Sequence, residues 1–282
     1  MTSKKEQEWL RSYAANRYQG AGEIVDLGCF LGATTISLAE GLALNPRAKQ
    51  KRIHAFDLFV WMPFYEEWTK ERGADGLLIE GNSFLPEFLR RTERWKDYIS
   101  IHPGDLRQVG WEGGPIELLF VDAMKNPAVA TTIAANFFPN LLLRRSYLAH
   151  QDFSHAFTPW IHFLTFRLRD HFHFVEDLPQ SSLFRLEKEI DPSLLTRDLA
   201  PAAVSPEEIE AAFDYSISIV AETKRANVVA AKAMAYLHRG EPSRAHEVMA
   251  MSPFGPASLR DELNVVKRLI EQNLAERKSP YD

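Results

Sequence analysis

With 282 residues, 45% of them hydrophobic and 25% charged, the chain can bury one large core and still carry a further subdomain. Its net charge of -5 and pI near 6.0 argue against a nonspecific nucleic-acid binder. Cys29 is the only cysteine, which excludes an intrachain disulfide and a cysteine-based zinc site. No stretch is apolar for long enough to span a bilayer, and the first residues lack a signal-peptide core, so a cytoplasmic protein without membrane partners is expected.

Residues 3–19 predict an amphipathic helix with Trp9, Leu10 and Tyr13 on one side, ended by Gly20-Ala21-Gly22. From there to about residue 190, short apolar runs alternate with helical segments, the pattern of a parallel sheet covered on both faces. Strands are predicted at 23–28, 52–57, 98–102, 116–122 and 146–152. The run Ile116 to Asp122 is apolar on both faces apart from Glu117, as a central strand requires. The β-prone runs 171–175 and 183–186, separated by Pro179-Gln180-Ser181-Ser182, predict an antiparallel hairpin. The expected class is therefore α/β, with a Rossmann-like sheet.

After Asp191-Pro192 the composition turns helical through 205–278, and Ser205-Pro206-Glu207-Glu208 is a helix start with a serine cap and acids facing the helix dipole. Residues 230–245 resemble a single tetratricopeptide-type hairpin with no second copy, so they read as an appendage packed on the core or on a partner subunit. Three parts are expected: an N-terminal helix (1–21), a ligand-binding domain (22–190) and a C-terminal helical subdomain (191–282).

The stretch "IVDLGCFLGATT" (24–35) runs from a strand through a glycine turn into a helix. A dinucleotide fingerprint needs glycine at its middle position, where this chain has Phe30, and the Gly-Lys-Ser/Thr of a Walker loop is missing. The remaining pattern, Asp26-x-Gly28-x-x-x-Gly32, suits a ligand without pyrophosphate, such as S-adenosylmethionine (SAM), whose amino acid end can meet Asp26 and the turn backbone. Asp57 ends the next predicted strand, where it either accepts hydrogen bonds from ribose hydroxyls or caps a helix. Asp105, after Gly104, and Asp122 end the following two. Acids ending successive strands lie along the carboxyl edge where open α/β sheets bind ligands.

On these residues the chain resembles the class I SAM-dependent methyltransferases over about 22–188. Within that superfamily "IVDLGCFLGATTISLAEGL", "LLFVDAM" and "HQDF" are similar to bacterial small-molecule O-methyltransferases, including the macrocin-type sugar enzymes. The resemblance implies seven strands, five parallel and a terminal antiparallel hairpin. It implies a cofactor site of Asp26, Gly28, Cys29, Phe30, Gly32 and Thr34 at the turn, Asp57 and Leu58 at the ribose, Gly104, Asp105 and Leu106 near adenine, and Asp122. The chain departs from its relatives at Asp122-Ala123-Met124-Lys125, where many carry an acidic cluster, and at Arg144-Arg145, where they carry a glycine pair.

By strand alternation His150 and Asp152 share a face, and neighbouring strands lie about 4.8 Å apart, so Asp122 and Asp152 can share a divalent cation, magnesium by the oxygen donors. The competing reading makes Asp152 a helix cap. His155 is the first candidate general base and His150 the second, with His162 nearby. The aromatic segment 59–68, with Trp160, forms either an acceptor wall or a second small core.

The expected function is methyl transfer from SAM to a hydroxyl of a small molecule, a sugar or natural product, by a homodimer. A catalytically silent scaffold whose C-terminal helices bind a protein is the alternative. Methylation of protein or nucleic acid is disfavoured by the charge and by the absence of an Asn-Pro-Pro-Tyr-type tetrapeptide.

Overall fold

The computed structural model describes residues 2–48, 50–71, 73–74, 76–251 and 259–277. Its centre is a seven-stranded sheet: β1 (Glu23–Leu27), β2 (Ile53–Asp57), β3 (Ile99–Pro103), β4 (Ile116–Val121), β5 (Tyr147–His150), β6 (Phe172–Asp177) and β7 (Ser182–Leu186). The spatial order is β3-β2-β1-β4-β5-β7-β6. The first five strands run parallel and β7 pairs antiparallel with both β5 and β6, as the alternating runs and the hairpin predict. The order reverses between β1 and β4, and open α/β sheets bind ligands outside the carboxyl ends of the strands at such a reversal, here the ends of β1, β2 and β4.

Strand alternation builds two cores. Ile24, Ile53, Ala55, Leu118, Phe120 and Ala149 face one side. There they meet α1 (Lys4–Ser12), the π-helical turn Tyr13–Arg17, α2 (Ala33–Leu44) and α4 (Leu85–Thr92). Val25, Leu27, Phe56, Leu119, Val121 and Leu148 face the other, against α5 (Pro127–Phe137) and α6 (Pro159–Arg167). A short α3 (Phe64–Lys70) follows β2. The predicted N-terminal helix is thus α1 plus a wider turn. The one charge inside β4, Glu117, is buried and accepts from the backbone N–H groups of Gln19, Ala21 and Gly22, fixing the chain's entry into β1.

Beyond the sheet come α7 (Pro192–Leu195), α8 (Pro206–Ile219), α9 (Glu222–His238), α10 (Pro242–Ala250) and α11 (Arg260–Arg277). Ser205 caps α8 by accepting from Glu208 N–H at 3.2 Å, as its sequence predicts. Phe213, Val228, Ala245 and Ile270 belong to the same apolar cluster as Val121 and Leu148. The composition change near residue 191 therefore marks no break in the core. Among the described residues no helix is long and apolar enough to cross a membrane.

Helix α1 reaches across to the β6–β7 turn through Glu6, which is fully buried and bonded to the Ser181 hydroxyl, itself 3.0 Å from the Gln151 amide oxygen. Burial pushes the Glu6 carboxyl up to about 7, against the opposing pull of Ser181 and Lys224. A carboxyl whose pKa is raised on folding contributes stability below its unfolded value near 4.5 and loses it as pH rises through 7. Chemical denaturation from pH 4.5 to 7.5 is expected to show a decline on the order of 3 kcal/mol from this group. Glu6→Gln, which keeps the shape and cannot ionise, should remove that slope.

Candidate functional site

The glycine turn is a tight seam between three strands. Gly28 takes φ +85°, and a Cβ there would run into the carbonyl oxygen of Asp122. Gly32, at φ +86°, opens α2 in the left-handed region that glycine favours. The amides of Gly28 and Cys29 both donate to the Phe56 carbonyl, at 2.8 and 3.3 Å. Phe30 N–H donates to Asp57 Oδ2 at 2.9 Å, and Phe59 N–H to Asp57 Oδ1 at 2.8 Å. Three consecutive turn amides thus face β2, and none of them is left to cradle a diphosphate.

Asp57 holds two strained residues at once. Phe30 and Phe59 sit at φ +44° and +54°, a region costing about 1–3 kcal/mol for a non-glycine residue. Burial raises the Asp57 carboxyl, while the N–H groups of Phe59, Phe30 and Leu58 pull it back. An ionised carboxylate offers about four lone-pair sites, so acceptor capacity remains after the bonds from Phe30 and Phe59. The helix-cap reading of Asp57 is not realised, since the Phe30 and Phe59 amides belong to loops ahead of α2 and α3; the carboxylate ties those loops together. Leu58 beside it is 49% exposed.

Asp26 departs from expectation. It points under the turn, fully buried, and its Oδ2 accepts from the hydroxyls of Thr34 and Thr35 at 2.7 and 2.6 Å. It therefore clamps the first turn of α2 instead of lying open to a ligand, and Thr34 is committed with it. Its Oδ1 has no hydrogen-bond partner, and burial raises the carboxyl to about 6. Cys29 is also buried, its thiol pushed up by the same desolvation. At the third strand, Gly104 N–H donates to the Asp57 carbonyl, Leu106 is buried, and Asp105 is gripped by the guanidinium and amide of Arg107, which lower its pKa.

Asp122 and Asp152 are brought together as predicted, but a side chain of the protein lies between them. Lys125 Nζ donates to Asp122 Oδ1 at 2.6 Å and to Asp152 Oδ2 at 2.5 Å. Among the described residues no group of three or more His, Cys, Asp or Glu is placed to hold a metal. Two carboxylates sharing an ammonium do not fit magnesium, which corrects the expected metal pair. Lys125 is visible in the sequence only as the departure from an acidic cluster, three residues after Asp122. Burial raises Asp122 to about 6 against the pull of Lys125. Trp160 is buried, not part of an acceptor wall, and its indole N–H donates to the Met124 carbonyl at 2.6 Å, holding the segment that carries Lys125.

The histidine candidates fare differently. Strand β5 ends at His150 and a turn follows, so His150 and Asp152 no longer share a face. His150 is 2% exposed among Phe153 and Phe184, and burial lowers its pKa to about 4, so it is neutral and shut away from the crevice. His162 is likewise buried, 2.9 Å from the Ser216 hydroxyl. His155 is paired at 3.1 Å with Glu262 of α11. The helix-cap reading of Asp152 is not realised: Thr158 stands at the start of α6, the Asp152 carbonyl accepts from the Thr158 hydroxyl and His155 N–H in the preceding turn, and its carboxylate goes to Lys125.

The aromatic segment contributes to the second small core. Phe59 is buried against Phe84 and Phe88 in the core beneath α1, and Phe30 makes tilted ring contacts with Tyr65 and Trp68. Tyr65 lies close enough to Asp57, Lys125 and Asp122 to feel their charges, with burial the larger influence on its hydroxyl.

No family model and no curated protein sequence matches the chain. Among solved structures it is similar to the O-methyltransferase NovP, with a TM-score of 0.51 and 12% identity over 65% of this chain and 80% of that one. The chain shares the α/β fold of that enzyme, with its Rossmann-like seven-stranded sheet. CalS11, a calicheamicin methyltransferase, is matched over 65% of this chain and 80% of its own at 16% identity and a TM-score of 0.46. In this fold the Asp57 clamp lies at the carboxyl end of β2, beside the reversal point of the sheet.

Asp57→Ala removes two bonds to a charged acceptor, each worth about 1.5–3 kcal/mol, and should lower unfolding free energy by about 3 kcal/mol in urea. Gly28→Ala meets backbone instead of a movable side chain, so its midpoint should fall further still.

Proposed function

We propose that this protein is a SAM-dependent methyltransferase acting on a hydroxyl of a small molecule. The observation that carries the reading is the hydrogen bonding of the glycine turn. Its amides are turned to Phe56 and Asp57, which leaves a carboxylate beside the turn and no amide cradle. That arrangement favours a ligand with hydroxyls and a positive centre over one with a diphosphate. The fold shared with NovP, itself an O-methyltransferase, supports the same reading.

The residues fit such a cofactor. Asp57 would receive the ribose hydroxyls, Leu58 would offer an apolar surface to adenine, and Asp122 would lie beside the sulfonium end. SAM supplies an electrophilic methyl group when bound. The chain's part is to orient the cofactor, present the acceptor oxygen and hold the proton that the oxygen gives up. Neither His150 nor His155 is arranged for that last task, so the carboxylates Asp122 and Asp152 would take it, with Lys125 as the neighbouring donor.

Isothermal calorimetry with SAM and with NAD+ tests the reading. Binding of SAM without NAD+ is expected, and Asp57→Ala should weaken SAM at least tenfold, about 1.4 kcal/mol. A chain that binds NAD+ and ignores SAM is not a methyltransferase.

A further inference from the structure

The Lys125 cluster points to a narrower class of acceptor than the fold does. Its ammonium has three N–H donors, and two are taken by Asp122 Oδ1 and Asp152 Oδ2. Among the described residues no third acceptor is bonded to Nζ. The Lys125 side chain is 56% exposed and that of Asp152 only 9%, so the ammonium is seated from the open side of the crevice. Asp122 is 30% exposed and bonds the lysine through one oxygen, leaving Oδ2 accessible. One small region thus offers a charged donor and a carboxylate acceptor side by side. A hydroxyl can use both, since its oxygen accepts and its proton donates.

From this geometry we propose that the acceptor is a phenol, its oxygen held by Lys125 and its proton received by Asp122. The inference rests on the methyltransferase reading for the step it serves. In that step the bond between methyl and sulfur breaks with its electron pair remaining on sulfur. A new bond forms from methyl to the phenolic oxygen, and the proton passes to Asp122 Oδ2.

Charge supports the choice. Asp122, Asp152 and Lys125 together carry one net negative charge, which repels a carboxylate or phosphate acceptor. Once Asp122 takes a proton, a neutral Lys125–Asp152 pair is left, the favourable state in a partly dry site. Acidity supports it further. A phenol ionises near pH 10, whereas an unactivated water-like hydroxyl lies near 15.7, too far from a carboxylate for useful proton transfer without a metal.

Fluorescence titration of the full chain with 7-hydroxycoumarin, with and without S-adenosylhomocysteine, tests this independently of turnover. The phenol should bind at least tenfold (about 1.4 kcal/mol) more tightly than 7-methoxycoumarin, which has no proton to give. Methyl glucoside should not displace it. Lys125→Met should erase the preference for the phenol while retaining S-adenosylhomocysteine, and Lys125→Arg, which keeps the charge, should restore part of it. Equal binding of the two coumarins, failure of the phenol to bind, displacement by the glucoside, or an unchanged preference in Lys125→Met each overturns the proposal. Selective phenol binding by a chain that takes up neither SAM nor S-adenosylhomocysteine keeps the phenol site and overturns the methyltransferase reading instead.

Discussion

The Asp57 carboxylate is the interaction on which the crevice depends. Its two oxygens hold the amides of Phe30 and Phe59, both in a left-handed backbone conformation that bulky residues rarely adopt. The strain is offset locally, because each bond is charge-assisted and each phenylalanine ring finds an aromatic neighbourhood. One side chain therefore sets the path of the glycine turn, the path of the loop after β2, and the placement of the aromatic cluster above them.

The same logic governs the other buried acids. Glu117 closes the entry to β1, Asp26 fastens α2 through Thr34 and Thr35, and Glu6 fastens α1 to the β6–β7 turn. An isolated charge inside a protein is costly, so each carboxylate is matched to donors or raised toward its neutral form. At the crevice the match is incomplete: Asp122 and Lys125 retain exposed capacity to bond. Residues with unfilled capacity at an open edge are where a ligand gains most.

The fold was largely legible in the chain. The buried run from Ile116 to Val121, the acids closing successive strands, and the Ser205-Pro206 start of α8 each carry a local physical signal that the tertiary structure repeats. The site was legible in position and less so in role. Asp26 and Asp57 look alike in sequence, both acids near a strand end, yet one lies under the turn and the other beside it. The difference is one of depth: Asp26 precedes the last residue of β1 and faces α2, whereas Asp57 is the last residue of β2. His150 and Asp152 show the same limit. Alternation holds only within a strand, and β5 stops at His150, so the following turn re-aims Asp152.

What the sequence determined by itself is the order of strands and helices, the placing of acids along the carboxyl edge, and the exclusion of a diphosphate cradle by Phe30. These follow from periodicity and steric demand, which act over a few residues. What only the tertiary structure decided is which charges meet. Lys125 lies between Asp122 and Asp152 because Trp160, from α6, fixes the Met124 carbonyl and because β4 and β5 end side by side. Such a contact joins residues far apart in the chain, and no local pattern carries it.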